Sequence, residues 1–95
     1  MRIDTNVRYW PGALTGRQLQ AYTVLKRLGA PVFVRSDRPD ICALSAEDQG
    51  DDEKLWAQYY NPHGPWVDPQ VDLILTPLGL FSEWENPACL FFWDI

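Results

Sequence analysis

Ninety-five residues, 46% hydrophobic and 22% charged, suffice for one hydrophobic core but not for two. No apolar run approaches the roughly 20 residues of a membrane span, and Met1-Arg2-Ile3-Asp4 does not open a secretory leader. The expectation is therefore a single domain, 1–95, in the cytoplasm. The net charge of −5 is unevenly spread, with seven bases and three acids in residues 1–45 and one base and ten acids in residues 46–95. Such polarity reads as a partner signal or as pairing between the two halves of one fold.

Val7-Arg8-Tyr9-Trp10 alternates briefly and stops at Pro11-Gly12, which suggests a short strand or extended arm, here placed at a sheet edge. Thr15-Gly16-Arg17-Gln18 fits a capping box, with Thr15 as N-cap, Gln18 at N3, and Leu14 and Leu19 as the hydrophobic staple. Leu14, Ala21, Leu25 and Leu28 then form one apolar stripe beside Tyr22, and Gly29 with Pro31 supplies a stop, so the spacing predicts an amphipathic helix over 15–28. Residues 31–35 and 41–44 are β-type runs joined by the turn-forming Ser36-Asp37-Arg38-Pro39-Asp40, which predicts a hairpin.

Asp51-Asp52-Glu53 looks like the acidic first turn of a helix carrying Leu55, Trp56, Tyr59 and Tyr60, so a short helix is expected near 51–60. Asn61 to Trp66 reads as a proline-rich loop. Asp68 then caps a buried helix near 69–76 with Pro69 at N1. Leu80, Phe81 and Trp84 are assigned to a connecting turn or short helix. The chain ends on Cys89-Leu90-Phe91-Phe92-Trp93, an apolar run without alternation, which is the pattern of a strand covered on both faces. Residues 89–93 are placed beside or between the hairpin strands, with helices packed on them. The fold class is thus α+β, a small antiparallel or mixed sheet with helices against it. Cys42 and Cys89 lie inside apolar runs and read as reduced, buried packing residues rather than a disulfide.

The chemistry-bearing residues are sparse. Pro39-Asp40 followed by Asp52-Glu53-Lys54 resembles at four positions the PD…DxK signature of metal-dependent nucleases, in which two acids hold a divalent ion and a lysine assists the attacking water. That family carries its DxK on a central strand, whereas 51–60 here has helical spacing. His63 is the only histidine, in a Pro-His-Gly-Pro loop, and no nucleophile elbow, zinc spacing or phosphate-binding glycine loop accompanies it. Nothing in the residues calls for a metal or cofactor, and the protein reads as a non-enzyme.

Two features remain. Glu47, Asp48, Asp51, Asp52 and Glu53 place five carboxylates within seven residues, and Trp56, Tyr59, Tyr60 and Trp66 lie in or near loops. Acids can meet a basic groove, and Tyr and Trp dominate interface hot spots. Those nine residues are the expected partner-binding set. The net negative charge speaks against direct nucleic-acid binding, although Arg17, Lys26, Arg27, Arg35 and Arg38 offer one basic face. In size, aromatic excess, charge polarity and lack of cofactor motifs the chain is similar to many phage and mobile-element accessory proteins, including inhibitors of host defence such as anti-CRISPR proteins. The expectation is a small acidic module that docks on a basic, nucleic-acid-binding groove of another protein. A PD…DxK-like nuclease and a structural subunit of a homo-oligomer are the alternatives.

Overall fold

A helix whose inward spacing runs 14, 18, 21, 25 must bury whatever stands at 18, and the second position of that stripe is a glutamine. The computed structural model describes residues 14, 16–47 and 54–95. In it α1 spans Gly16–Arg27 and buries Gln18, Ala21 and Leu25, with Leu14 buried just before it. It closes in a Schellman arrangement: Ala30 N–H donates to Leu25 O at 3.0 Å and Gly29 N–H to Lys26 O at 3.1 Å. Gly29 takes φ 86°, a left-handed value that costs a glycine nothing. Leu28 falls beyond the last helical turn and stays exposed, and Leu19 faces outward as well. Thr15, and with it the expected capping box, lies outside the described residues; the Gln18 amide is engaged with Cys42 and Phe92 of the sheet.

The predicted hairpin is present, shorter than expected, as β1 (Val32–Phe33) and β2 (Ala43–Ser45), antiparallel with Val32 opposite Leu44. The last strand, β6 (Cys89–Asp94), pairs antiparallel with β2, and β5 (Leu80–Asn86) pairs antiparallel with β6, giving the sheet order β1-β2-β6-β5. The C-terminal run therefore occupies an interior position of the sheet, beside the hairpin rather than between its strands. The 80–84 segment, expected as a turn or short helix, is a strand. Leu80, Ser82 and Trp84 point toward the core, Phe81, Glu83 and Glu85 are exposed, and this period of two is the strand's own signature.

The helix expected near 51–60 is not formed in its described part. Residues 54–56 are irregular and Ala57–Gln58 form β3, paired with β4 (Trp66–Val67) in a second, two-stranded sheet. Helical spacing would put Trp56 and Tyr60 on one face, yet Trp56 is buried and Tyr60 is 78% exposed. The turn between them wins locally. Asn61 Oδ1 accepts from His63 N–H and Asn61 O from Gly64 N–H, both at 2.9 Å, and Gly64 supplies φ 102°. Asp68 N–H then donates to Trp56 O at 2.8 Å, locking the returning strand. Next comes α2 (Pro69–Leu75), capped as expected by Asp68, whose Oδ1 accepts from Gln70 N–H at 2.8 Å with Pro69 in the first turn. A 3-10 turn, Thr76–Leu78, leads into β5. The expected 7–10 strand lies outside the described residues.

Both faces of β6 are covered, by different means. Leu90 and Phe92 join the main core with Leu25, Leu44, Val71, Leu75 and Leu80, under the helices. On the opposite face Cys89 and Phe91 cluster with Ile41 and Ala43, flanked by Phe33 and Trp93. Among the described residues no helix roofs that side. The 35–40 turn does, with the Arg35 guanidinium 5.1 Å from the Phe91 ring centre and that of Arg38 4.8 Å from the Trp93 ring. The two free cysteines sit in different clusters on opposite faces, which rules out their pairing with each other. Burial pushes both thiols up and keeps them neutral.

Arg35 also pairs with Asp37 through two hydrogen bonds, Nε to Oδ1 at 2.9 Å, and Arg38 pairs with Asp40 at 3.2 Å. These guanidinium hydrogen bonds hold both carboxyls below the usual carboxylate range. Their contribution is thus complete above the unfolded value of 3.8 and is lost as pH falls through the lower folded values. The Trp93 indole resonance should stay constant from about pH 8 to pH 5 and move only below about pH 4. A shift near neutrality in an NMR titration would show that these pairs do not hold the turn on the sheet.

Candidate functional site

The last residue of β2 and the turn between β5 and β6 meet at one end of the sheet. Ala46 N–H donates to Ala88 O at 2.9 Å and Glu47 N–H to Ser45 Oγ at 3.3 Å, so Glu47 is fixed next to the Asn86-Pro87-Ala88 turn. That turn is itself held by Ala88 N–H on Asn86 Oδ1 at 2.9 Å. Across from it stands the end of β3. Together Glu47, Gln58, Tyr59, Tyr60 and residues 86–88 line an open groove of about 480 Å³.

Its aromatic wall is a relay of rings that starts in the core. Trp84 packs against the main cluster, the Tyr59 ring meets Trp84 edge-on at 5.3 Å, and Tyr60 meets Tyr59 edge-on at 5.2 Å. Edge-to-face contacts at these spacings are attractive beyond simple area burial. They brace a solvent-exposed tyrosine against a rigid support, which reduces the entropy lost when it is gripped by a partner.

The expected partner-binding set divides on this map. Glu47, Tyr59 and Tyr60 come together in the groove. Trp66 is half-buried in β4 opposite Gln58. Trp56 belongs to the core, its ring covered by Lys54 with Nζ 4.1 Å from the ring centre, and among the described residues its indole N–H finds no acceptor. Asp48, Asp51, Asp52 and Glu53 lie outside the described residues. Asn86, Pro87 and Ala88 in the groove, and Trp84 behind Tyr59, are residues that sequence reasoning passed over. Asn86-Pro87 carries a turn signal, but nothing local says which loop faces it.

The residues of the nuclease resemblance have other engagements. Asp40 is held by Arg38, and Lys54 Nζ lies 2.8 Å from Gln70 Oε1 and 3.3 Å from Asp68 Oδ2. Among the described residues no group of three or more His, Cys, Asp or Glu stands placed to hold a metal. The basic face is also reduced, since Arg35 and Arg38 carry their own carboxylates and Arg17 approaches Asp94 at 3.7 Å. Among the described residues no helix is long and apolar enough to cross a membrane. Compared with family models, characterised proteins and solved structures, the chain matches none of them. The groove must be interpreted on its own geometry.

Proposed function

We propose that this protein is a docking module that grips a partner protein with the Tyr59–Tyr60 ridge and its groove, and that it acts as an inhibitor or accessory factor rather than as a catalyst. The observation that carries this reading is Tyr60, 78% exposed yet braced ring-on-ring through Tyr59 to Trp84, which packs on the core. Glu47 beside it and the −9 charge of residues 46–95 favour a basic partner surface, including one that otherwise receives nucleic acid.

Tyr60→Ala is expected to weaken binding of the isolated partner about 30-fold, roughly 2 kcal/mol, while the melting temperature falls by only a few degrees, through loss of the edge contact with Tyr59. Glu47→Lys should instead slow association and flatten its salt dependence. Titration calorimetry and stopped-flow mixing read the two effects separately. A partner whose affinity is indifferent to Tyr60→Ala removes the ridge from the interface.

A further inference from the structure

Among the described residues β5 ends the sheet, and it is seven residues long where the opposite terminal strand, β1, has two. Antiparallel pairing with β6 uses one row of its backbone N–H and C=O groups. Among the described residues, none of 80–86 makes a backbone hydrogen bond outside that ladder. Apart from Leu80 the strand is half-buried or exposed. A long terminal strand with an open polar row is a template for another strand.

From these observations we infer that the outer edge of β5 is a strand-addition site for an extended, basic segment of a partner protein. The side chains that stand beside an added strand on the exposed face are Phe81, Glu83 and Glu85. They call for lysine or arginine at alternate positions of the added strand, next to the acids. A second copy of this chain does not suit the edge. Two-fold antiparallel pairing of β5 with itself, face to like face, sets the glutamates of one copy opposite or diagonal to those of the other, and like charges so placed repel. The same acids that exclude self-association thus select a basic strand. The irregularity between Trp84 and Asn86 bends the far end, leaving a straight span of five residues, 80–84, about 17 Å long. This site meets the groove of the proposed function at Asn86 and through Trp84, which backs Tyr59, and does not depend on Tyr60.

The test uses the full-length ¹⁵N-labelled protein and a synthetic acetyl-Lys-Val-Lys-Val-Lys-Val-amide as probe, alongside a Glu-Val counterpart and a Lys-Val peptide N-methylated at alternate residues. The Lys-Val peptide should slow hydrogen exchange of amides within 80–86. The N-methylated and Glu-Val peptides should not. The Glu83→Lys/Glu85→Lys variant should bind the Lys-Val peptide about tenfold more weakly, and Tyr60→Ala should bind it as the unmodified protein does, which separates this site from the groove. Equal binding of the N-methylated peptide, or unaltered exchange in 80–86, overturns the inference. So does dimerisation through β5 of a Glu83→Val/Glu85→Val variant that still takes no peptide, since the acids would then serve only to guard the edge. The peptide comparison is made on the unmodified protein and stands even where a charge-reversed variant fails to fold.

Discussion

Phe92→Ala is expected to lower stability by about 3–5 kcal/mol. The side chain is fully buried on the helix side of β6, the strand that links β2 to β5, so its loss opens a cavity where the sheet and helices meet. Against a total of about 5–15 kcal/mol for a domain of this kind, that is enough to populate the unfolded chain on mild warming. The melting temperature should fall by roughly 15–30 °C. Trp93→Ala, on the partly exposed face under Arg38, should cost distinctly less. A Phe92→Ala protein that melts within a few degrees of the parent would mean that the C-terminal strand is an accessory to the core rather than its centre.

The second large effect is expected at Gln18, through hydrogen bonding rather than volume. Where β2 and β6 diverge, Phe92 N–H still donates to Cys42 O at 3.1 Å, but the reciprocal bond is absent. The Gln18 amide fills the gap: Oε1 accepts from Cys42 N–H at 2.9 Å and Nε2 donates to Phe92 O at 2.8 Å. Nε2 also reaches Asp94 Oδ1 at 3.4 Å. The side chain thus acts as one extra peptide unit inserted between the strands, tying α1 to the sheet. Gln18→Leu keeps the shape and deletes both bonds, leaving a buried N–H and a buried C=O without partners at about 1–3 kcal/mol each. Urea denaturation should show a loss of about 2–5 kcal/mol, accompanied by faster hydrogen exchange at the Cys42 amide. A neutral Gln18→Leu would show that water replaces the amide at no cost.

Gln18 also shows how far the residues alone could lead. The sequence assigns it to N3 of a capping box and draws the apolar stripe through Leu14, Ala21, Leu25 and Leu28. The buried stripe instead runs 14, 18, 21, 25, and local pattern does not choose between a capping and an inward glutamine. The α1 boundaries, the 31–44 hairpin, the Asp68-Pro69 cap and the doubly covered β6 were readable because each rests on a local rule: a stop glycine, a proline turn, an N-cap, an unbroken apolar run. Two elements were misassigned for opposite reasons. In 80–86 the alternation of Leu80, Ser82 and Trp84 with Phe81, Glu83 and Glu85 was present, but two acids and a serine in one strand resembled a surface connection. In 54–60 the helical spacing was genuine and lost to tertiary pairing, because β3 gains β4 across the Asn61–Gly64 turn. The groove was the least legible part. Tyr59 and Tyr60 could be picked out as aromatic surplus, but their support on Trp84 and their position facing Asn86–Ala88 depend on contacts between segments far apart in the chain.

The docking role of the Tyr59–Tyr60 ridge is tested most directly by site-specific photo-cross-linking. A photoreactive phenylalanine derivative is placed at position 60 and, as a control, at Leu73, which is 74% exposed on α2. Both proteins are irradiated in the cells in which the chain is naturally made. The account predicts one dominant protein adduct from position 60 that is missing from position 73 and that disappears when Glu47 is reversed to lysine at raised salt. No adduct at position 60, or the same adducts from both positions, would contradict it.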